Sequence, residues 1–361
     1  MTRPKIFGSR TSCGFFIWLK KPPSLGKDML MRLGFFLVLP LFVAGADDVQ
    51  TQHAKLGRGI NLGNALEGPH EGAWGRKLEE ADFPRIKNAG FDSVRIPVRW
   101  SAHAASTAPY TIDAAWMARV DHVVKACLAA KLAVVLNVHH YEELDREPAA
   151  HRERFVAIWR QVAQHFAAFP DALQFELYNE PNSKHTAEAW NLNLAAALKE
   201  VRRTNPTRAV QVGGVEWNQV NTLKDLRLPA DDRHLIVHIH YYAPFHFTHQ
   251  GAFWIKGSEA WKGTKWEGTP TEQAAVRRDF GVAAAWAKKE GRPVFLGEFG
   301  TCSGVEDLAA RVRWTSFIAR EAEAHGFKWA YWEYQANFGI WDPQAQAWRR
   351  PLLDALLPPA K

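Results

Sequence analysis

A chain of 361 residues with 45 Lys and Arg, 38 Asp and Glu and a pI near 9.3 reads at first as a basic protein. The excess sits at one end: seven of the basic residues and one acid fall within residues 1–46, leaving 38 basic and 37 acidic residues beyond them. That removes the case for a nucleic-acid surface, and the three cysteines, without metal-ligand spacing, offer neither a disulfide framework nor a zinc module.

In chain order, the first feature is a leader. Arg32 precedes an apolar run from Leu33 to Ala44, and Ala44-Gly45-Ala46 suits a small-residue cleavage site, the layout of a secretory signal peptide. The run is about 12 residues long and contains Pro40, whereas a membrane span needs roughly 20. The expectation is a leader over 1–46 cut near Ala46, a catalytic domain over 47–361, and a secreted or periplasmic product with no membrane attachment after cleavage. Residues 1–28 are long for such a leader and carry Pro22-Pro23, so Met29 or Met31 is a candidate start. Cys13 falls in this leader, and Cys127 and Cys302 are expected to stay unpaired.

Strand and helix patterns then alternate to the C-terminus. Strands are expected at Arg58–Asn64, Ser93–Val98, Ala133–His139, Gln174–Glu180, Ala209–Gly214, Leu235–Tyr242, Pro293–Gly300 and Lys328–Gln335. Helices are expected near 77–89, 113–130, 151–168, 186–204, 218–226, 271–290, 306–325 and 351–357. Asp113 marks one helix start, and Gly326 marks a helix end. Eight such pairs predict an α/β fold of the (β/α)8 TIM-barrel kind, as a single domain. The alternative, a doubly wound sheet, lacks the Gly-rich phosphate loop it normally carries. The connection 243–269 stands apart. It has no helical period yet holds Phe245, Phe247, Phe253, Trp254, Trp261 and Trp266, rings suited to stacking on sugar faces, although about half are expected to pack the loop itself.

Polar residues gather where the strands end. Gln174–Pro181 reads Gln-Phe-Glu-Leu-Tyr-Asn-Glu-Pro, an apolar run closing on Asn179 and Glu180. Pro293–Gly300 repeats the arrangement with Glu298. In a barrel these ends carry the chemistry, and a pair of carboxylates is what glycosidic cleavage needs. Asn61, Asn64, Glu67, Arg95, His139, His140, His238, His240, Tyr242, Trp332 and Glu333 lie near other strand ends.

Seven motifs in order resemble glycoside hydrolase family 5. They are Gly-Arg-Gly-Ile-Asn-Leu-Gly-Asn-Ala-Leu-Glu at 57–67, Arg-Ile-Pro at 95–97, His-His at 139–140, Asn-Glu-Pro at 179–181, His-Tyr-Tyr at 240–242, Phe-Thr-His-Gln-Gly at 247–251 and Gly-Glu-Phe-Gly at 297–300. The first and sixth look like its bacterial endo-β-1,4-glucanase (cellulase) branch. The resemblance runs from about residue 55 to the C-terminus. It implies a retaining double displacement with Glu180 as acid/base and Glu298 as nucleophile, and carboxyls about 5–5.5 Å apart rather than the roughly 6.5–9.5 Å of inverting enzymes. Glu298 then needs neighbours that lower its pKa, Arg95 and Tyr242 being the candidates, while that of Glu180 must be raised. The resemblance further implies that Asn179 holds the sugar 2-OH and that His139 and His140 bind hydroxyls beside the cleaved bond. It implies that His240 tunes Glu180, that Trp332 forms the platform under the reacting sugar, and that Asn64, Glu67, His249 and Trp254 touch the glycan further out. Glu176, one layer deeper than Glu180, is expected to pair with Arg95 or a histidine such as His238.

The expected partner is a β-linked polysaccharide or oligosaccharide, the expected form a monomer, and no cofactor is called for. Within the hydrolase reading, β-mannan or xyloglucan remain alternatives to glucan. From other classes, a metal-dependent barrel hydrolase using His238 and His240 and a non-catalytic glycan-binding barrel also remain.

Overall fold

The computed structural model describes residues 47–359, so the expected leader lies outside the described residues. Eight parallel strands close into a barrel in chain order: β1 Arg58–Asn61, β2 Ser93–Ile96, β3 Ala133–Asn137, β4 Leu173–Glu176, β5 Val210–Gly213, β6 Leu235–His240, β7 Val294–Glu298 and β8 Lys328–Tyr331, with β8 pairing back to β1. All eight expected strands are present, each shorter than expected at its C-terminal end. Asn179 and Glu180 therefore stand past the regular part of β4, although the Asn179 N–H still bonds the Val138 carbonyl of the neighbouring segment.

The strands are near-continuous apolar runs because both faces are covered; Ala133–Asn137 is buried throughout. Helices over Asp82–Ala89, Ala114–Ala129, Arg152–His165, Ala187–Thr204, Pro270–Glu290, Leu308–Ala324 and Arg350–Leu356 lie close to the expected borders. Their ends are set locally. Asp113 accepts from the Trp116 N–H, and Thr269 and Glu272 form a reciprocal cap with Pro270 in the first turn. Gly326, at φ 76°, follows the helix that ends at Ala324.

One expected helix is corrected. Over 218–226 there is only a 3-10 turn, Val220–Asp225, because Glu216, Trp217 and Asn218 are all left-handed, with φ between 51° and 60°. The helix expected from residue 77 starts at Asp82. Its carboxylate takes the Glu79 N–H and the Arg76 and Arg85 guanidiniums, holding the chain before it in a non-helical path.

Between strands and helices lies the main core, which includes the fully buried Trp159, Trp190, Trp314 and Trp329. Truncating a ring of this kind costs about 3–5 kcal/mol. Inside the barrel the N-terminal end is closed by Leu56, Val135, Ala209, Ile236, Phe295 and Ala330. The short helix Val49–Ala54 reaches this end through Gln52 and His53. Above that apolar plug the interior is polar. Cys127 and Cys302 are buried and free, as expected. Among the described residues no helix is long and apolar enough to cross a membrane.

Candidate active site

Arg95 sits fully buried near the end of β2 and organises the barrel mouth. It grips Glu176 with two prongs, Nε to Oε2 at 2.5 Å and Nη2 to Oε1 at 2.8 Å. It also donates to Glu298 Oε1 at 2.7 Å, to Asn179 Oδ1 at 2.6 Å and to Asn61 Oδ1 at 2.9 Å. A buried guanidinium is tolerable only with its donors satisfied by charge, and here one cation serves two carboxylates from two strands. The expected partnership of Glu176 with Arg95 is present, and His238 Nδ1 stands 3.7 Å away.

Glu298 ends β7, buried, with the Tyr242 hydroxyl donating to Oε2 at 2.9 Å. Burial and the carboxyl charges hold that hydroxyl well above the ordinary phenol range, so it stays a donor. Glu180 stands across the mouth with its side chain 23% exposed, its Oε1 2.6 Å from His240 Nδ1. Oxygens of Glu180 and Glu298 and a nitrogen of His240 lie within 4.8 Å of one another. The two carboxyls are therefore near neighbours at the barrel mouth. A cation could in principle use the same three atoms, but they are already engaged by Arg95, Tyr242 and each other.

Burial pushes the Glu180 carboxyl up to about 8, with Arg95 opposing and Asp145 and Glu176 adding. The expectation for Glu298 is corrected. Arg95 and Tyr242 are in place and do pull its pKa down, but burial, with Glu180 adding, outweighs them and the net direction is upward. Burial likewise lowers His240 to about 4 and His139 well below its ordinary value, so both rings are neutral.

The register shift between Ile239 and His240 aligns His240 with Glu298 across β6 and β7, while His238 and His240 keep the same inward face. His139 is buried, bonded to Asn137 Nδ2 at 3.2 Å, and stacks nearly parallel on Trp332 at 5.9 Å between centroids. His140 and Asn64 both hold positive φ, 49° and 59°, at the rim. Strained backbone of this kind persists where the surroundings over-determine it and often marks functional sites.

Two of the expected glycan contacts have little exposed surface. Glu67 is buried and accepts the Asn64 and Ala65 N–H groups, which shapes the loop after β1. His249 is also buried, stacked on Phe245 at 4.1 Å and set edge-on to Tyr242. Trp254 is 46% exposed and Phe253 81% exposed beside it, whereas Phe247 and Trp266 from the same connection are core. Glu333 and Trp341 are buried too. Glu333 takes the N–H groups of Gln335, Ala336 and Phe338, and Trp341 lies 4.3 Å under Arg85.

Sequence reasoning passed over Asn137, which links Glu176 to His139, and Asn218, which donates to the Asn179 carbonyl. The signal for Asn137 was available: a polar residue closing an otherwise apolar strand.

A closed (β/α)8 barrel carrying Glu180 and Glu298 close together at its mouth has the layout of a glycosidase-type barrel. The comparisons agree. The family model for cellulase, glycosyl hydrolase family 5, matches residues 55–338, and the chain belongs to that family. It is 37% identical over 311 residues to Endoglucanase H of Acetivibrio thermocellus and 30% identical over 299 residues to the Cellulase/esterase CelE of the same organism. These matches cover 84% and 76% of this chain but only 33% and 35% of those proteins, so the chain spans about a third of their length. Solved structures of Thermotoga maritima Cel5A, in complex with mannotriose and with cellobiose, superpose at a TM-score of 0.84 with 45% identity, covering 86% of this chain and 100% of theirs.

Proposed function

We propose that this protein is a retaining endo-β-1,4-glucanase acting on cellulose-type or mixed-linkage glucans, with Glu298 as nucleophile and Glu180 as acid/base. The observation that carries the reading is the close pair of carboxyls in unlike surroundings. Glu298 is bound to a cation and a phenol hydroxyl; Glu180 is bound to a neutral imidazole.

In the first step Glu298 attacks the anomeric carbon while Glu180 gives its proton to the departing glycosidic oxygen. The C1–O bond breaks, an ester to Glu298 forms, and the carboxylate charge facing Arg95 disappears. Loss of that charge removes one reason for Glu180 to stay protonated, and as a carboxylate it takes a proton from the water that attacks C1. The ester opens and both groups return to their starting states.

Asn179 has its Oδ1 committed to Arg95, which leaves Nδ2 to donate to the 2-OH of the reacting sugar. Trp332, packed on His139, is the platform beneath that sugar, and His139 and His140 hold neighbouring hydroxyls. Trp254 extends the cleft as an aromatic wall for a long chain. Asn64, at the rim, is a contact on the same side as Trp332.

The relatives' names favour glucan, and the pair of Thermotoga maritima complexes supports a cleft tolerant of mannose units. Mannan cleavage as a side activity is therefore part of the proposal. Secretion through the leader, cleaved near Ala46, is proposed on the sequence pattern alone. Reducing-end release from carboxymethylcellulose, barley glucan, xyloglucan and glucomannan, run side by side, tests the assignment; cleavage of mannan alone would overturn it.

A further inference from the structure

A line of hydrogen bonds runs up the inside of the barrel, from its N-terminal plug to Glu180. At the bottom, Gln52 Nε2 donates to the Asp47 and Thr207 carbonyls, and its Oε1 accepts the Ala209 N–H. Gln174 Nε2 donates to the Gln52 carbonyl at 2.6 Å, and Gln211 Nε2 reaches Gln174 Oε1 at 3.3 Å. Gln211 Oε1 then meets His238 Nδ1 at 2.9 Å, His238 Nε2 meets His240 Nε2 at 2.8 Å, and His240 Nδ1 meets Glu180 Oε1 at 2.6 Å.

Each link constrains the next. A backbone carbonyl only accepts, so Gln174 must turn its NH2 downward to Gln52 and its oxygen upward. That oxygen needs a donor, so Gln211 offers NH2 to it and presents its own oxygen to His238. An acceptor at 2.9 Å, with Glu176 Oε2 as a second acceptor 3.7 Å away, requires the hydrogen of neutral His238 on Nδ1. His238 Nε2 is then bare, so the single hydrogen between the rings belongs to His240 Nε2. His240 Nδ1 is left as a lone pair, and the hydrogen in its 2.6 Å contact can come only from Glu180.

We propose that Gln211, held by Gln174 and Gln52, is a positioning residue that sets the tautomers of His238 and His240 so that Glu180 carries the proton in the resting site. The proposal rests on the reading of Glu180 as acid/base and names what loads that acid from within the fold. Gly297 is part of the arrangement: a Cβ there would lie 2.0 Å from His238 Cε1 and Nε2, so the motif glycine beside Glu298 makes room for the relay ring.

Other charged or titratable groups face this line. Arg95, Glu176 and His139 stand around the His238–His240 pair; Glu298, Asp145, Glu176, Arg95 and Tyr242 stand around Glu180. One contact pulls the other way: Glu298 Oε2 lies 3.6 Å from His240 Nδ1, too long for a good hydrogen bond, and Tyr242 already donates to that oxygen at 2.9 Å.

Two measurements test this. In histidine-15N-labelled enzyme, with His238→Phe and His240→Phe used for assignment, His238 is expected as the Nδ1–H tautomer and His240 as Nε2–H. A His240 ring protonated at Nδ1 overturns the proposal without requiring any variant at Gln211 to fold. The second is the pH profile of kcat/KM on a cello-oligosaccharide for wild type and Gln211→Met, beside Glu180→Ala on an aryl cellobioside whose leaving group needs no acid. Freeing His238 lets His240 turn its hydrogen toward a Glu180 carboxylate, so the alkaline limb of Gln211→Met should fall by about one pH unit. If the limb persists in Glu180→Ala, the acid/base reading fails and takes the relay with it. If the limb vanishes there but Gln211→Met overlays wild type, the relay alone is wrong.

Discussion

Arg95 and Glu176 form a two-pronged ion pair in which both side chains are fully out of solvent. The same guanidinium holds Glu298, so the floor of the site and one of its proposed reacting groups share a cation. Replacing Arg95 by Met strands two buried carboxylates, and unfolding measurements should show a loss of about 3–5 kcal/mol. Arg95→Lys keeps the charge but has no planar fork, so it cannot serve both glutamates. It should remain folded with kcat lower on the order of a hundredfold.

Activity should follow a bell in pH. The acid limb is protonation of Glu298, which burial shifts above the ordinary glutamate range. The alkaline limb is loss of the proton from Glu180, pushed up to about 8 by burial. Initial rates of kcat/KM from pH 4 to 10 check this, and Glu180→Gln should remove the alkaline limb together with most of the rate on unactivated glucan.

Stability carries a separate pH signature. Glu67 is pushed up to about 8 and Glu333 to about 7, in each case first by burial. A carboxyl with a raised folded pKa stabilises fully below its unfolded value and loses that contribution as pH rises through the folded one. Thermal unfolding temperature should therefore fall between about pH 5 and pH 8. Glu67→Gln, which cannot ionise, should fall less over the same range. Equal slopes for the two proteins would show that Glu67 is not a source of the effect.

Trp254 and Phe253 form an edge-to-face pair at 5.0 Å on the long connection after β6, with Trp254 half exposed and tilted against Phe338 at 6.0 Å. Trp254→Ala should raise KM for a long mixed-linkage glucan by roughly tenfold through lost stacking. The change in kcat on a short aryl cellobioside should be much smaller. Steady-state kinetics on the two substrates separates a wall for the polymer from a support for the chemistry.

Much of this was legible in the sequence, for a physical reason. Parallel strands buried on both faces read as short apolar runs, and each ends where the chain must turn polar to leave the core, which is how Glu180 and Glu298 announce themselves. What spacing cannot reveal is depth and direction. Glu67 and His249 lie in motifs beside more exposed residues, yet both are buried, Glu67 on the Asn64 and Ala65 amides and His249 edge-on to Tyr242. The rise in the Glu298 pKa was missed because sequence identifies the cation beside a carboxylate and not how completely water is removed around it. The stretch 218–226 looked helical because three left-handed residues, Glu216 to Asn218, leave no compositional mark; none of them is glycine.

The central claim is that Glu180 and Glu298 work as a close pair, their oxygens within 4.8 Å, through a covalent intermediate. Proton NMR of the first-formed product from a cello-oligosaccharide tests it most directly, since the anomer is fixed before mutarotation proceeds. The account predicts the β-anomer at the new reducing end, appearing before any α-anomer. Initial release of the α-anomer would mean that water attacks in a single step and would contradict the assignment of Glu298 as nucleophile.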